Sequence, residues 1–265
     1  MEAVFIALFF FFTVVGFSTF YLQKGIGTMA DPMRQFGLFL LNKAPAGVVD
    51  LFNDEKGSGA KTWMNLGMIW LTLAGIGTFL SLWHDYDGSA LDSLASIGWA
   101  YDDGSALDTF VNATLVTGLF SILLGGGLVA VARSGAGKLA SESNASLTAL
   151  LFSVLTATAL LLPTLLGLLT ELSTENETLL QDLFMHSLRA FIVIAVMINV
   201  LLTVAQRKGE TIQASNWFVF MALASFIFGS QFRFFGELTD TTQVVWLGER
   251  MTQSWVMISL FFAVA

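Results

Sequence analysis

Seven apolar runs, at about 2–22, 62–83, 108–132, 147–170, 183–205, 214–236 and 246–265, limit what this chain can become. Each is close to the twenty or so residues with which an α-helix crosses the hydrocarbon of a bilayer. Inside lipid every backbone N–H and C=O needs an internal partner, so only helices and closed barrels span it. The ten-residue alternation of an outer-membrane barrel is missing from the runs. Charged residues make up 12% of the chain, against about 25% in soluble domains, so water is not the solvent for most of it. The expected fold is all-α: one membrane domain over residues 1–265, a seven-transmembrane-helix bundle. The first run carries Glu2 where a signal peptide carries basic residues, and no A-x-A site follows, so it is read as a helix. The last run ends FFAVA without a hydrophilic tail, which puts the C-terminus at the membrane surface or leaves the natural chain to run on.

Orientation is read from the basic residues, which favour cytoplasmic loops. Lys24, Arg34, Lys43, Lys56 and Lys61 lie between the first two runs, Arg133 and Lys138 follow the third, and Arg207 and Lys208 follow the fifth. The alternate loops carry Asp85, Asp87, Asp92, Asp102, Asp103 and Asp108, then Glu171, Glu175 and Glu177, with no Lys or Arg. The N-terminus is therefore expected outside and the C-terminus on the cytoplasmic side.

The inner connection, 23–60, is long enough for a helix of its own. Asp31-Pro32 can start one, Met33, Phe36, Leu40 and Leu41 give it an apolar face, and Pro45 follows its end, so an interfacial amphipathic helix is expected. The acidic outer loop, 84–107, contains Asp87-Gly88-Ser89-Ala90-Leu91-Asp92, which recurs as Asp103-Gly104-Ser105-Ala106-Leu107-Asp108. The EF-hand pattern is not met, so Asp87 and Asp103 are expected to cap short helices, with Leu91, Leu94, Trp99 and Leu107 at the membrane interface. Ser121/Gly125, Gly126/Ala130 and Ser225/Gly229 are small-residue pairs that let helices approach closely in lipid. Pro163 breaks one backbone bond in the fourth run, and Thr156, Thr158 or Thr164 is expected to cover the freed carbonyl.

Charge inside an apolar run marks the candidate site. In the stretch Leu179–Gln206, which contains the fifth run, Asp182, His186 and Arg189 fall within about 60° of one another on a helix. Such groups at membrane depth need a partner or water. The sixth run ends with Gln231, Arg233 and Glu237, and the seventh begins with Glu249 and Arg250, all at the same outer depth. A bundle that turned the three sets together would hold a polar crevice, either as a structural ion-pair network or as a site for a solute, an ion or a proton.

Zero cysteines excludes disulfides and thiolate metal sites, and two histidines leave no multi-histidine centre. His84 and His186 are the candidates for contact with a cofactor, and none is expected to be held by this chain alone. The net charge of −8 argues against nucleic acid. An outside N-terminus and seven runs resemble microbial rhodopsins, but retinal needs a lysine in the seventh span and none follows Lys208. The catalytic subunit of haem–copper oxidases needs several histidines across many helices, so neither family is assigned. The expected function is a non-catalytic membrane subunit in contact with lipid and with other subunits or copies of itself. The alternative is a small transporter or channel; no spacing supports intrinsic catalysis.

Overall fold

A computed structural model describes residues 55–89, 91–95, 104–135, 137–169, 175–207 and 212–265, with side chains described for all of these except 94–95, 104–106, 161–169 and 175–187. The run 2–22 and most of the 23–60 connection, with its expected interfacial helix, lie outside these residues. The described residues are helical, without strands: α1 Ser58–Tyr86, α2 Asp92–Ala95, α3 Gly104–Ser134, α4 Glu142–Leu169, α5 Glu175–Ala205, α6 Ala214–Leu238, α7 Thr242–Arg250 and α8 Val256–Val264. A π-helical turn, Met251–Trp255, joins α7 to α8. Five of these helices (α1, α3, α4, α5 and α6) contain stretches long and apolar enough to cross a membrane. Several apolar helices of that length mark an integral membrane protein.

The middle of the bundle is α3, and glycine is the reason its neighbours come so close. A Cβ added at Gly118 would stand 2.7 Å from Leu71 Cδ2 and 3.0 Å from the Leu71 backbone nitrogen. At Gly125 it would stand 3.0 Å from the Ala60 carbonyl oxygen, so α1 and α3 run antiparallel with backbones almost touching. Three consecutive glycines then serve three neighbours. Gly125 faces Ala60 and Met64 of α1, Gly126 faces Val264 of α8, and Gly127 faces Val219 of α6. Successive helical residues point about 100° apart, so bare backbone is offered on three sides within one turn. Of the expected small-residue pairs, Ser121/Gly125 lies on the α1 face, and Ser225 and Gly229 are both buried, with Gly229 against the Gly248 carbonyl of α7.

Between these contacts the core is aromatic and branched-aliphatic. Trp63 meets Phe120 with ring centroids 6.0 Å apart and Phe152 at 5.5 Å, while Phe226 meets Phe120 at 5.2 Å. Leu124, Leu128, Val193, Val196, Leu223 and Leu260 extend it. A polar seam joins α1 to α4, which run parallel: Thr62 Oγ1 donates to Ser146 Oγ at 3.3 Å, and Trp70 Nε1 donates to Ser153 Oγ at 3.2 Å.

One end of the bundle is fastened by Glu142, whose side chain is fully buried. Its Oε1 accepts the Gly57 and Leu139 N–H groups at 3.0 and 3.1 Å, and its Oε2 accepts the Gly59 N–H at 3.1 Å. The Gly57 and Gly59 N–H groups are donors that the start of α1 leaves without intrahelical partners, Leu139 belongs to the loop before α4, and the positive ends of α1 and α4 both face the carboxylate. The loop before it is held from α5. Asn199 accepts from the Ser141 N–H and donates to the Ser141 carbonyl, and Thr203 Oγ1 accepts from the Ala140 N–H at 2.9 Å. Asn216 at the start of α6 exchanges hydrogen bonds with Ser134 at the end of α3.

The structure revises three expectations. Leu91 and Leu107 are each 2% exposed, so the repeated leucines are buried in the fold rather than lying at the membrane interface. Asp87 does not cap the short helix, which starts only at Asp92. Its Oδ1 instead accepts from Ser89 N and Ser89 Oγ at 3.0 and 2.7 Å, closing an Asx turn just past α1. Thr156 and Thr158 donate to the carbonyls of Phe152 and Val154, each four residues back, so neither covers the carbonyl freed by Pro163. Helix α4 nevertheless runs through 163 to Leu169. Asp103, Leu94, Trp99 and the Thr164 side chain lie outside the described residues.

The glycine contacts give a paired prediction. Gly118→Ala forces α1 and α3 apart and lowers stability by about 1–3 kcal/mol, as overpacking does. Gly75, on the open side of α1, has no atom within 4 Å of an added Cβ; Gly75→Ala leaves stability unchanged or raises it by up to about 1 kcal/mol. Unfolding in detergent followed by circular dichroism separates the two.

Candidate functional site

At the end of the bundle opposite Glu142, α6 turns into α7 through Thr239, Asp240 and Thr241. Asp240 takes a left-handed conformation, φ 51°, which Asp tolerates better than most residues. The turn is tight because the Thr241 N–H reaches back to the Gly236 carbonyl at 2.8 Å. It opens a cleft of about 360 Å³ lined by Gly236, Glu237, Asp240, Thr241, Thr242, Val245, Trp246 and Glu249. The floor is backbone on backbone: a Cβ at Gly236 would stand 2.6 Å from the Val245 nitrogen, and one at Gly248 2.6 Å from the Gly229 carbonyl.

Charge is distributed unevenly around the cleft. Arg233 Nε donates to Glu237 Oε1 at 2.7 Å, one helical turn apart, with side chains 24% and 14% exposed. The other oxygen, Glu237 Oε2, is buried without a hydrogen-bond partner among the described residues. Arg250 turns away to lie over the Trp246 ring, 5.5 Å from its centroid. The lining therefore offers three carboxylates and two threonine hydroxyls, a chemistry that attracts a cation or an amine. Among the described residues no group of three His, Asp or Glu is arranged to hold a metal ion.

Of the residues picked from sequence, Glu237 and Glu249 line this cleft and Arg233 borders it through its ion pair. Gln231 is half-buried on α6 and is not part of the lining. Arg189 is half-buried on α5, which packs against α4, α6 and, less extensively, α3, whereas α7 packs against α6, and α8 against α6 and α3. Asp182 and His186 belong to α5, with side chains outside the described residues. His84 ends α1 half-buried, its Nδ1 without a partner among the described residues. Among the described residues, helix α1 packs on α3 and α4, and α5, the helix that carries His186, is not one of its main neighbours.

Asp240, Thr241 and Trp246 escaped the sequence reading. The signal for them was the polar tract Glu237-Leu-Thr-Asp-Thr-Thr242 between two apolar runs, short enough to force a hairpin. Glu142 also escaped it, although a single acid at the start of an apolar run, just after Ser141, is a helix-start signature. Comparison with protein families, with curated proteins and with solved structures finds no match.

Two measurements follow from this geometry. A double-mutant cycle with Arg233→Ala and Glu237→Ala yields a coupling of about 0.3–1 kcal/mol, the range for partly exposed pairs one turn apart; zero coupling means the pair is not formed. On the same side, the Ser89 hydroxyl and then its N–H hold the Asp87 carboxyl below the usual Asp range. A lowered carboxyl stabilises the fold at pH above the ordinary Asp value, and that contribution disappears as pH falls through the lowered one. Ser89→Ala moves the Asp87 titration upward, which carboxyl NMR reads directly.

Proposed function

We propose that the chain is a non-catalytic integral membrane subunit of a larger membrane assembly, such as an energy-coupling or electron-transfer complex. In this reading seven spans cross the bilayer, the run 2–22 supplying one and α7 with α8 another. The N-terminus is outside and the C-terminus is on the cytoplasmic side, because Lys56, Lys61, Arg133, Lys138 and Arg207 gather around the Glu142 end.

The observation that carries the subunit reading is the filled centre. Trp63, Phe120, Phe152 and Phe226 close the space between α1, α3, α4 and α6 with centroid separations of 5.2–6.1 Å. Thr62, Asn199 and Asn216 bond other side chains or backbone, while Trp63 Nε1 and Ser121 Oγ are buried without a hydrogen-bond partner among the described residues. Large apolar side chains meanwhile stand outward: Phe79 is 65% exposed, Phe261 60% and Phe228 59%. Lipid and neighbouring helices are the partners such faces accept.

The acidic cleft between α6 and α7 favours a second reading, a small transporter of a solute, an ion or protons. Purification in mild detergent tests the first: other polypeptides travel with the chain in stoichiometric amounts, and a solitary chain overturns it. For the second, the pure chain in vesicles carries a flux that Glu249→Gln lowers by about tenfold or more, since a lost charged contact costs about 1.5–3 kcal/mol. Vesicles without flux overturn it.

A further inference from the structure

The Glu142 end carries fixed cations above an apolar face, a combination that the subunit reading leaves without a task. Lys56, Lys61, Arg133 and Lys138 are all exposed. They do not hang from a loose loop. Residues 139–141 are held by Glu142, Thr203 and Asn199 through backbone hydrogen bonds of 2.7–3.1 Å. Gly137, at φ +85°, lets the Lys56 ammonium pass over it: a Cβ there would stand 3.4 Å from Lys56 Nζ. That brings Lys56 to the same loop as Lys138. Of the acids described here, Glu142 is buried and bonded to three N–H groups, and Glu55 is exposed beside Lys56.

Below Lys61 the surface turns apolar. Lys61 heads the uncovered stripe of α1, with Met68 and Ile69 two turns further on and Ile76 and Phe79 beyond them at helical spacing. Trp217, 55% exposed in the first turn of α6, stands at this same end, since its neighbour Asn216 is bonded to Ser134. Exposed Trp is the residue of the headgroup level. A ligand that satisfies both layers bears an anion at one end and hydrocarbon at the other.

We propose that this end is a seat for an anionic phospholipid, its phosphate headgroup held by Lys56, Lys61 and Lys138 and its acyl chain laid along Met68, Ile69 and Ile76. The inference rests on the membrane reading of the chain. A free phosphate would use the cations alone, and a water-soluble acidic protein would leave the α1 stripe bare; a lipid matches both.

The test is native mass spectrometry of the full chain released from nanodiscs of phosphatidylcholine with a minority of phosphatidylglycerol. The expected result is retention of phosphatidylglycerol over phosphatidylcholine, falling about fivefold for each cation removed in the series Lys56→Gln, Lys61→Gln and Lys138→Gln. Met68→Ser with Ile69→Ser, which leaves every charge in place, also lowers retention. Equal retention of the two lipids, or a preference untouched by the substitutions, overturns the proposal. Displacement of phosphatidylglycerol by inorganic phosphate at matched ionic strength identifies a free-anion site instead and also overturns it. Should the triple variant fail to fold, Lys138→Gln alone gives the same readout. A chain that never enters the nanodisc contradicts the membrane reading, an outcome distinct from one that enters and shows no preference.

Discussion

Lipid gives helices no reward for hiding apolar surface from it, so this bundle depends on how closely its backbones approach. A pair of carbon atoms in contact is worth only about 0.1–0.2 kcal/mol. An interhelical hydrogen bond in a membrane averages about 0.6 kcal/mol, and few span the middle of the fold, Thr62–Ser146 and Trp70–Ser153 among them. Many small contacts therefore outweigh a few polar ones, and bare backbone sets their number. Gly125, Gly126 and Gly127 give α3 such contact with α1, α8 and α6 in turn. That is why α3 can be central and why a single methyl group there has large consequences.

The ends of the bundle obey different physics from its middle. Helix starts expose N–H groups that the hydrocarbon cannot satisfy, and one carboxylate meets two of them at the start of α1 together with a loop N–H ahead of α4. A glutamine at 142 would accept with one oxygen and bring a donor to a place already crowded with donors, whereas the carboxylate accepts with both and faces two positive helix ends. With Glu142 buried in this way, its carboxylate is withdrawn from the surface that the surrounding lysines and Arg133 share. At the opposite end, Asp85, Asp87, Asp92, Glu237, Asp240 and Glu249 leave an acidic rim. The charge difference between the ends is thus built by folding as well as by composition.

How much of this was legible depended on the range of each cause. The helices were readable from the length of the apolar runs, because satisfying a backbone in lipid is a local requirement. Ser121/Gly125 and Ser225/Gly229 were readable as contact faces for the same reason. Gly67, Gly118 and Gly248 were not, since each matters through the helix opposite it, and nothing in their own neighbourhood names that helix. The repeat leucines misled: Leu91 and Leu107 look like interfacial residues in a polar loop, yet each is only 2% exposed. At the candidate site, Glu237 and Glu249 were brought together by a three-residue turn, whereas Arg189 depends on which face of α6 each neighbour chooses. Shared depth was visible in the sequence; shared azimuth was not.

That distinction also bears on what the acidic cleft can do. It is made by a local reversal between α6 and α7, so its existence asks nothing of the rest of the bundle. Beneath it the two helices touch backbone to backbone, at Gly236 with Val245 and at Gly229 with Gly248. A solute that reached Glu237 and Glu249 would therefore meet a floor between these helices instead of a path. To conduct, the helices would have to part at the glycine crossing, and the π-helical turn Met251–Trp255 follows directly upon it. Such turns interrupt the regular hydrogen-bond ladder and recur where helices serve a function. Under the proposed subunit reading the cleft need only bind, since docking a partner at an acidic rim requires no path between the helices.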